Sequence, residues 1–199
     1  MEGILKGVRI LDFGQFIAAP FCGMLLADMG AEVIKIERVG TGEDGRRLGP
    51  YKDGVSVYIT AFNRNKKGIT LNLRSEEGKE MLADLIKQSD VIIENFRPGT
   101  MAKLGFDYET CKELNPRIIM SSISGFGQEG RYRNKAAMDG IASAMSGLHA
   151  INYTKTGPRP TGLPLGDHTA GVYNALAIVL ALYDRERTGQ GQRIDTAKL

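Results

Sequence analysis

Tryptophan is absent from the 199 residues, and aromatic residues of every kind make up 7% of them. There are two cysteines, Cys22 and Cys111, too few and too scattered for a disulfide framework or a thiolate metal site. Both read as small core hydrophobes in a reducing compartment. The two histidines, His149 and His168, are not spaced as a metal pair, so no metal is expected, and no GxSxG marks a serine nucleophile. No internal repeat or low-complexity segment appears. Residues 1–7 lack the charged-then-apolar pattern of a signal peptide. The longest apolar run, Ala175 to Tyr183, is too short to span a bilayer. A cytoplasmic protein with no membrane partner is expected. The net charge of +3 is mild; it argues against a dedicated nucleic-acid binder and suits a protein that holds an anionic small molecule.

What is abundant is glycine, 25 residues without a triplet period, in a chain that is 42% hydrophobic. That combination predicts many tight turns between short elements around one good-sized core. Residues 8–13 read as a strand. Pro20 is placed as the first residue of a helix that buries Phe21, Met24, Leu25 and Met29 and stops at Gly30. Residues 31–37 form a second strand and complete a right-handed βαβ unit. The pattern then repeats. A strand over 68–73 precedes a helix capped at Ser75, whose buried stripe is Met81, Leu82, Leu85 and Ile86. A strand over 90–94 follows, then a helix over 108–114 and a strand over 117–123. Alternating strands and helices predict an α/β fold with a Rossmann-like, open, mostly parallel doubly wound sheet. Beyond Ser124 a glycine loop leads to a helix over 137–148, an irregular stretch at 157–160, and a long helix from Thr169 to about Arg187. Residues 192–199 look like a strand entered and abandoned, as in a fragment of a longer protein.

In such sheets ligands lie outside the carboxyl ends of the strands. The loop after the first strand, Gln15 to Pro20, is not GxGxxG, which argues against an ordinary NAD site. After the second strand, Glu37-Arg38 suits a ribose that carries a phosphate, although Arg38 is equally a solvated loop charge. Asn95-Phe96-Arg97 can hydrogen-bond, stack on an adenine and reach a phosphate, and the following Pro98-Gly99 is a turn. Asp167 stands where the long helix begins. Two readings stay open there: an N-cap, or a nucleophile kept ionised by the helix terminus. His168, next in sequence, points elsewhere on a helix and reads as structural.

Taken in order, these segments resemble the class III CoA-transferases of the CaiB/BaiF type. The resemblance runs through Val8–Phe13, Leu26–Glu37, Asn63–Lys67, Glu94–Gly99, Ser124–Gln128, Gly166-Asp167 and Arg187–Gln192. It implies that residues 1–199 are the N-terminal part of a CoA-binding Rossmann-like large domain. The rest of that domain, the small domain and a glycine-rich covering loop would lie beyond Leu199, so the fragment alone is expected to be inactive. It implies Asp167 as nucleophile. It also places coenzyme A across Ile17, Ala18, Arg38, Leu71, Asn72, Leu73, Arg74, Asn95, Phe96, Arg97, Lys103, Ala136, Ala137, Met138 and Asp139. Coenzyme A would be a substrate, with no tightly bound cofactor. The partners implied are an acyl-CoA, a small carboxylic acid and a second copy in an interlocked homodimer.

The reaction implied begins with attack of a carboxylate on the thioester, giving a mixed anhydride and then an aspartyl-CoA thioester. Some relatives carry glutamine where Ile17 stands. Ile17 cannot hydrogen-bond a formyl or oxalyl group, which favours a less polar acyl chain. A racemase branch carries His-Asp where this chain has Met138-Asp139, which removes one of its two bases. Racemisation of 2-methylacyl-CoA, and a CoA-binding module without turnover, are the rival readings.

Overall fold

The computed structural model describes residues 3–199. In chain order the elements are β1 (Arg9–Asp12), α1 (Ala18–Asp28), β2 (Glu32–Arg38), a 3-10 turn (Asp44–Arg47), the hairpin β3 (Tyr51–Lys52) and β4 (Val55–Ser56), α2 (Val57–Asn63), β5 (Lys66–Leu71), α3 (Glu76–Lys87), β6 (Val91–Glu94), α4 (Thr100–Leu104), α5 (Tyr108–Leu114), β7 (Ile119–Ser124), α6 (Asp139–Met145), α7 (Leu148–Ile151), the hairpin β8 (Tyr153–Thr154) and β9 (Gly157–Pro158), α8 (Leu165–Thr188) and β10 (Arg193–Ala197). Six strands form one sheet in the order β10-β7-β6-β1-β2-β5, every pairing parallel. Counted along the chain this is the 3-2-1-4-5-6 order of the doubly wound fold.

Alternation along the strands divides the core. Ile10, Val33, Val91, Ile93, Ile119 and Ile123 face α1 and α8, where Cys22, Leu26, Ala170 and Ile178 meet them. Leu11, Ile36, Ile92 and Met120 face the other way, onto Leu82 and Ile86 of α3, Met101 of α4 and Cys111 of α5. Both cysteines are fully buried and unpaired, and burial pushes each thiol up to about 12. Central strands β6 and β7 are buried throughout, as parallel strands covered on both faces must be; β5 and β10 are the half-exposed edges.

Several sequence expectations shift. Helix α1 starts at Ala18, two residues before Pro20, because Phe16 already turns the chain in a left-handed conformation (φ 62°). Pro20 is still tolerated, since a first-turn N–H has no intrahelical partner to lose. Met81 is 57% exposed, so the buried stripe of α3 is Leu82 and Ile86 with Leu85 at its border. The single helix expected over 137–148 is two, separated at Gly147 with φ 83°. The irregular 157–160 stretch contributes β9 of a small hairpin. Residues 193–197 complete the sheet as its edge strand.

At 24 residues α8 is long and apolar enough to cross a membrane by length and composition alone. It nevertheless buries Asp167, Asn174 and Arg185 along with Ala170, Ala175 and Ala181, as a core helix does.

Candidate active site

The site forms where β1 and β6 lie side by side and send the chain to opposite faces of the sheet. The loop after β1 and the loop after β6 are tied together by Asn95. Its Oδ1 accepts from the Gln15 N–H and its Nδ2 donates to the Gln15 carbonyl, both at 2.8 Å. Phe96 leaves the loop for the core and packs edge-on to Phe13, with ring centroids 6.4 Å apart. Behind the loop Asp12, fully buried, accepts from the Gly14 N–H at 2.6 Å and pairs with Lys66 Nζ at 2.7 Å. Lys66 spends its remaining protons on the Pro20 carbonyl and Asn63 Oδ1. A buried lysine saturated in this way is a strut that joins β5 to β1 and α1.

Asp167 arrives from the far side. Because α8 begins at Leu165, four residues before the expected Thr169, Asp167 is in the first helical turn. The N-cap reading is therefore displaced: Pro164 holds the cap position, and no side chain caps the helix from there. Instead Asp139, opening α6, accepts the Asp167 N–H on Oδ1 at 2.9 Å and the Ser143 hydroxyl on Oδ2 at 3.3 Å. That releases the Asp167 carboxylate from its own helix. Its Oδ1 stands 2.5 Å from Lys198 Nζ, both side chains less than 10% exposed. The contact is an ion pair, and Oδ1 itself is buried. His168 is occupied elsewhere, its Nδ1 2.9 Å from the Pro164 carbonyl and its ring edge-on to Phe21 and Phe62.

Gln15, Asn95, Phe96, Asp167 and Lys198 line one cavity of about 280 Å³. Of the residues singled out in the sequence, Ile17, Ala18, Asn95, Phe96, Arg97, Ala136, Ala137, Met138 and Asp167 meet there. Asp139 stands behind the wall as the brace of Asp167. Arg38 and Leu71 are register partners at the carboxyl ends of β2 and β5, farther along the same sheet edge, with Asn72, Leu73 and Arg74 following. Arg38 is held by Asp44 at 2.6 Å. Lys103, on α4, borders a separate depression with Ala83 and Phe106.

Sequence reasoning named the Gln15–Pro20 loop and the Ser124–Gln128 segment but gave Gln15, Phe16 and Gly125 no role, and it did not find Arg133, Lys135 or Lys198; all six are on the cavity wall. Lys198 had a signal: it directly follows a parallel strand, on the edge where ligands bind. Its main-chain N–H is fixed by the Ser124 carbonyl at 3.0 Å. Tyr58 of α2 was also missed. Burial, then the Asp167 and Glu43 carboxylates, push its phenol well above the ordinary tyrosine range. With Arg97, Arg133, Lys135 and Lys198 around a small apolar floor, the arrangement can draw in a polyanion and hold a carboxylate against an acyl carbon.

Residues 5–199 match the model of CoA-transferase family III. The chain is 44% identical over 193 residues to a succinyl-CoA–D-citramalate CoA-transferase of Chloroflexus aurantiacus, covering 96% of this chain and 48% of that protein. It is 42% identical over 199 residues to a formyl-CoA:oxalate CoA-transferase of a Bradyrhizobium species, covering 99% and 47%. A crystal structure of a CAIB/BAIF family protein from Brucella suis superposes with TM-score 0.93 at 38% identity, covering 100% of this chain and 54% of that one. The chain spans about half the length of the curated relatives it matches.

Proposed function

The chain belongs to CoA-transferase family III, and on that premise we propose that it carries the acylation site of an acyl-CoA:carboxylate CoA-transferase, with Asp167 as nucleophile. The observation that carries this reading is the Asp167 carboxylate itself: buried at the mouth of α8, freed from capping duty by Asp139, and 2.5 Å from Lys198 on a cavity wall.

A carboxylate oxygen of Asp167 attacks the thioester carbonyl carbon, and the C–S bond breaks. The products are a mixed anhydride and the CoA thiolate. The thiolate then attacks the aspartyl carbonyl, forming an aspartyl-CoA thioester and releasing the donor acid as its carboxylate. The acceptor carboxylate attacks that thioester, giving a second anhydride and the thiolate again. Attack of the thiolate on the acceptor acyl carbon forms the new acyl-CoA and restores Asp167. Each step exchanges one acyl bond for another of comparable energy, so no ATP is consumed. The Lys198 ammonium offsets the charge that gathers on the carbonyl oxygen in each attack, and the first turn of α8 adds its dipole.

Arg97, Arg133 and Lys135 suit the phosphates of coenzyme A at the cavity mouth. Arg38, Asn72 and Arg74 along the edge, and Lys103 on α4, suit the ribose phosphate and adenine end. Ile17, 8% exposed on the wall, favours an apolar acyl chain over a formyl or oxalyl group. Racemisation is disfavoured, because both Asp139 oxygens already accept hydrogen bonds and Met138 offers no base. Cytoplasmic location and a homodimer belong to the same proposal.

The test is to incubate the protein with a short-chain acyl-CoA and an isotopically labelled acceptor acid, then trap with borohydride. The expected results are labelled acyl-CoA and a reduced aspartyl adduct at Asp167 by mass spectrometry. Full transfer by Asp167→Ala overturns the reading, and exchange of the acyl α-proton with solvent without transfer points to racemisation.

A further inference from the structure

Phe16 is a bulky residue in the left-handed region, φ 62°, on the wall of the cavity. An L-residue there costs about 1 kcal/mol or more and persists only where its surroundings hold it. Five of the six backbone polar groups of Gly14–Phe16 are held by side chains. Asp12 takes the Gly14 N–H, Lys35 Nζ the Gly14 carbonyl at 2.7 Å, and Asn95 both groups of Gln15. The Phe16 N–H itself donates to Glu43 Oε1 at 2.8 Å.

Glu43 is fully buried and lies far along the chain, past β2. Its other oxygen, Oε2, stands 2.6 Å from Lys35 Nζ, which is itself 4% exposed. The Glu43 N–H donates to Glu37 Oε1 at 3.3 Å, and Glu37 is gripped by Arg46 through both carboxylate oxygens. A buried charge pair contributes little net stability compared with apolar residues of the same shape. Its value here is geometric: one carboxylate fixes the single amide that the left-handed turn presents, and the same lysine fixes the carbonyl two residues earlier. The next residues, Ile17 and Ala18, line the cavity and begin α1.

We propose that Glu43, braced by Lys35, is a positioning residue: it locks the Phe16 turn and so sets where the Ile17–Ala18 wall stands relative to Asp167. This rests on Asp167 being the acylated group, and the experiment separates the two claims.

Amide hydrogen exchange is followed in the protein and in Glu43→Gln, Glu43→Asp and Glu43→Ala. Single-turnover acylation of Asp167 by a short-chain acyl-CoA, and coenzyme A affinity by calorimetry, are measured alongside. In Glu43→Ala the amides of Phe16 to Ala19 are expected to exchange at least about 10-fold faster, with β6 and the body of α8 unchanged. Acylation is expected to fall about 10- to 100-fold, as for a displacement near 1 Å, with coenzyme A affinity within about 3-fold. Glu43→Gln keeps an acceptor for the Phe16 N–H but turns its NH2 toward Lys35, and it is expected to restore both in part. Glu43→Asp keeps the charge beside Lys35 but withdraws the oxygen, and it reports the same loosening if the alanine variant does not fold. Unchanged exchange at Phe16 to Ala19 in folded Glu43→Asp or Glu43→Ala overturns the proposal, as does a loss of acylation that Gln does not even partly restore. If the parent protein never acylates Asp167, the functional reading fails, and the exchange data still decide whether Glu43 holds the turn.

Discussion

The backbone N–H of Asp167 donates to Asp139 Oδ1 across 2.9 Å, so one carboxylate caps the helix and leaves the other free. The two residues come from different helices. Asp139→Ala removes the cap and exposes the Asp167 carboxylate to competition from its own helix N–H groups. The expected loss is about 1 kcal/mol, seen as a fall in Tm of about 2–4 °C, with a larger fall in acylation rate. Asp139→Asn keeps an acceptor and should stay close to the parent in both. Equal rates for the alanine variant and the parent would show that the cap does not govern Asp167.

Lys198→Met leaves a buried carboxylate without its counter-charge. Breaking a buried pair from one side costs about 3–5 kcal/mol, measurable by urea denaturation. Adding Asp167→Asn should recover most of that stability while transfer stays abolished. A double-mutant cycle with no coupling between positions 167 and 198 would contradict the ion pair.

Glu94 gives the protein a pH signature. It ends β6 at 4% exposure, and burial raises its carboxyl from 4.5 to about 7 against the opposing hydrogen bond from Ser122. A carboxyl raised on folding binds its proton more tightly in the folded state. Its contribution is therefore complete below pH 4.5 and is lost as pH rises through 7. Glu94→Gln imitates the protonated form and still accepts from the Phe96 N–H. At pH 8 it should exceed the parent by up to about 3 kcal/mol, with the gap closing toward pH 4.5. A stability difference that does not vary with pH would refute this.

Helices α1 and α8 touch at Gly171. A Cβ there would stand 2.9 Å from the Ala18 carbonyl oxygen and 3.0 Å from the Phe21 ring. Alanine inside a helix ordinarily gains up to about 1 kcal/mol over glycine. Here overpacking, about 1–3 kcal/mol, should win, so Gly171→Ala is expected to lower the denaturation midpoint and to displace Ala18. A stabilised variant would mean that the helices part freely.

The repeating strand-helix pattern made the doubly wound sheet legible, because periodicity survives errors of two or three residues at element ends. The loops after β1 and β6 were legible too, since their position follows from topology alone. What stayed hidden was long-range pairing. Nothing near Asp167 in the chain announces that Asp139 caps it or that Lys198 faces it. Pro164 and Gly166 masked the first turn of α8 and made Asp167 look like a cap. Helix α2 was missed because Val57, Ile59 and Thr60 are β-branched, and only the Ser56 side chain, accepting the Ile59 N–H, marks its start. Glu43 sits among Gly40, Thr41, Gly42 and Asp44, where a charged residue reads as solvated.

The edge strand β10 places Lys198 beside Asp167, which has a consequence for the order in which a growing chain matures. Five strands of the sheet and all of α8 can be assembled while the acidic group still lacks its counter-ion. Lys198 is set beside Asp167 by the parallel register of β10 on β7. The ion pair at Asp167 thus reports the docking of β10: while that strand is unpaired, the carboxylate stands without its lysine.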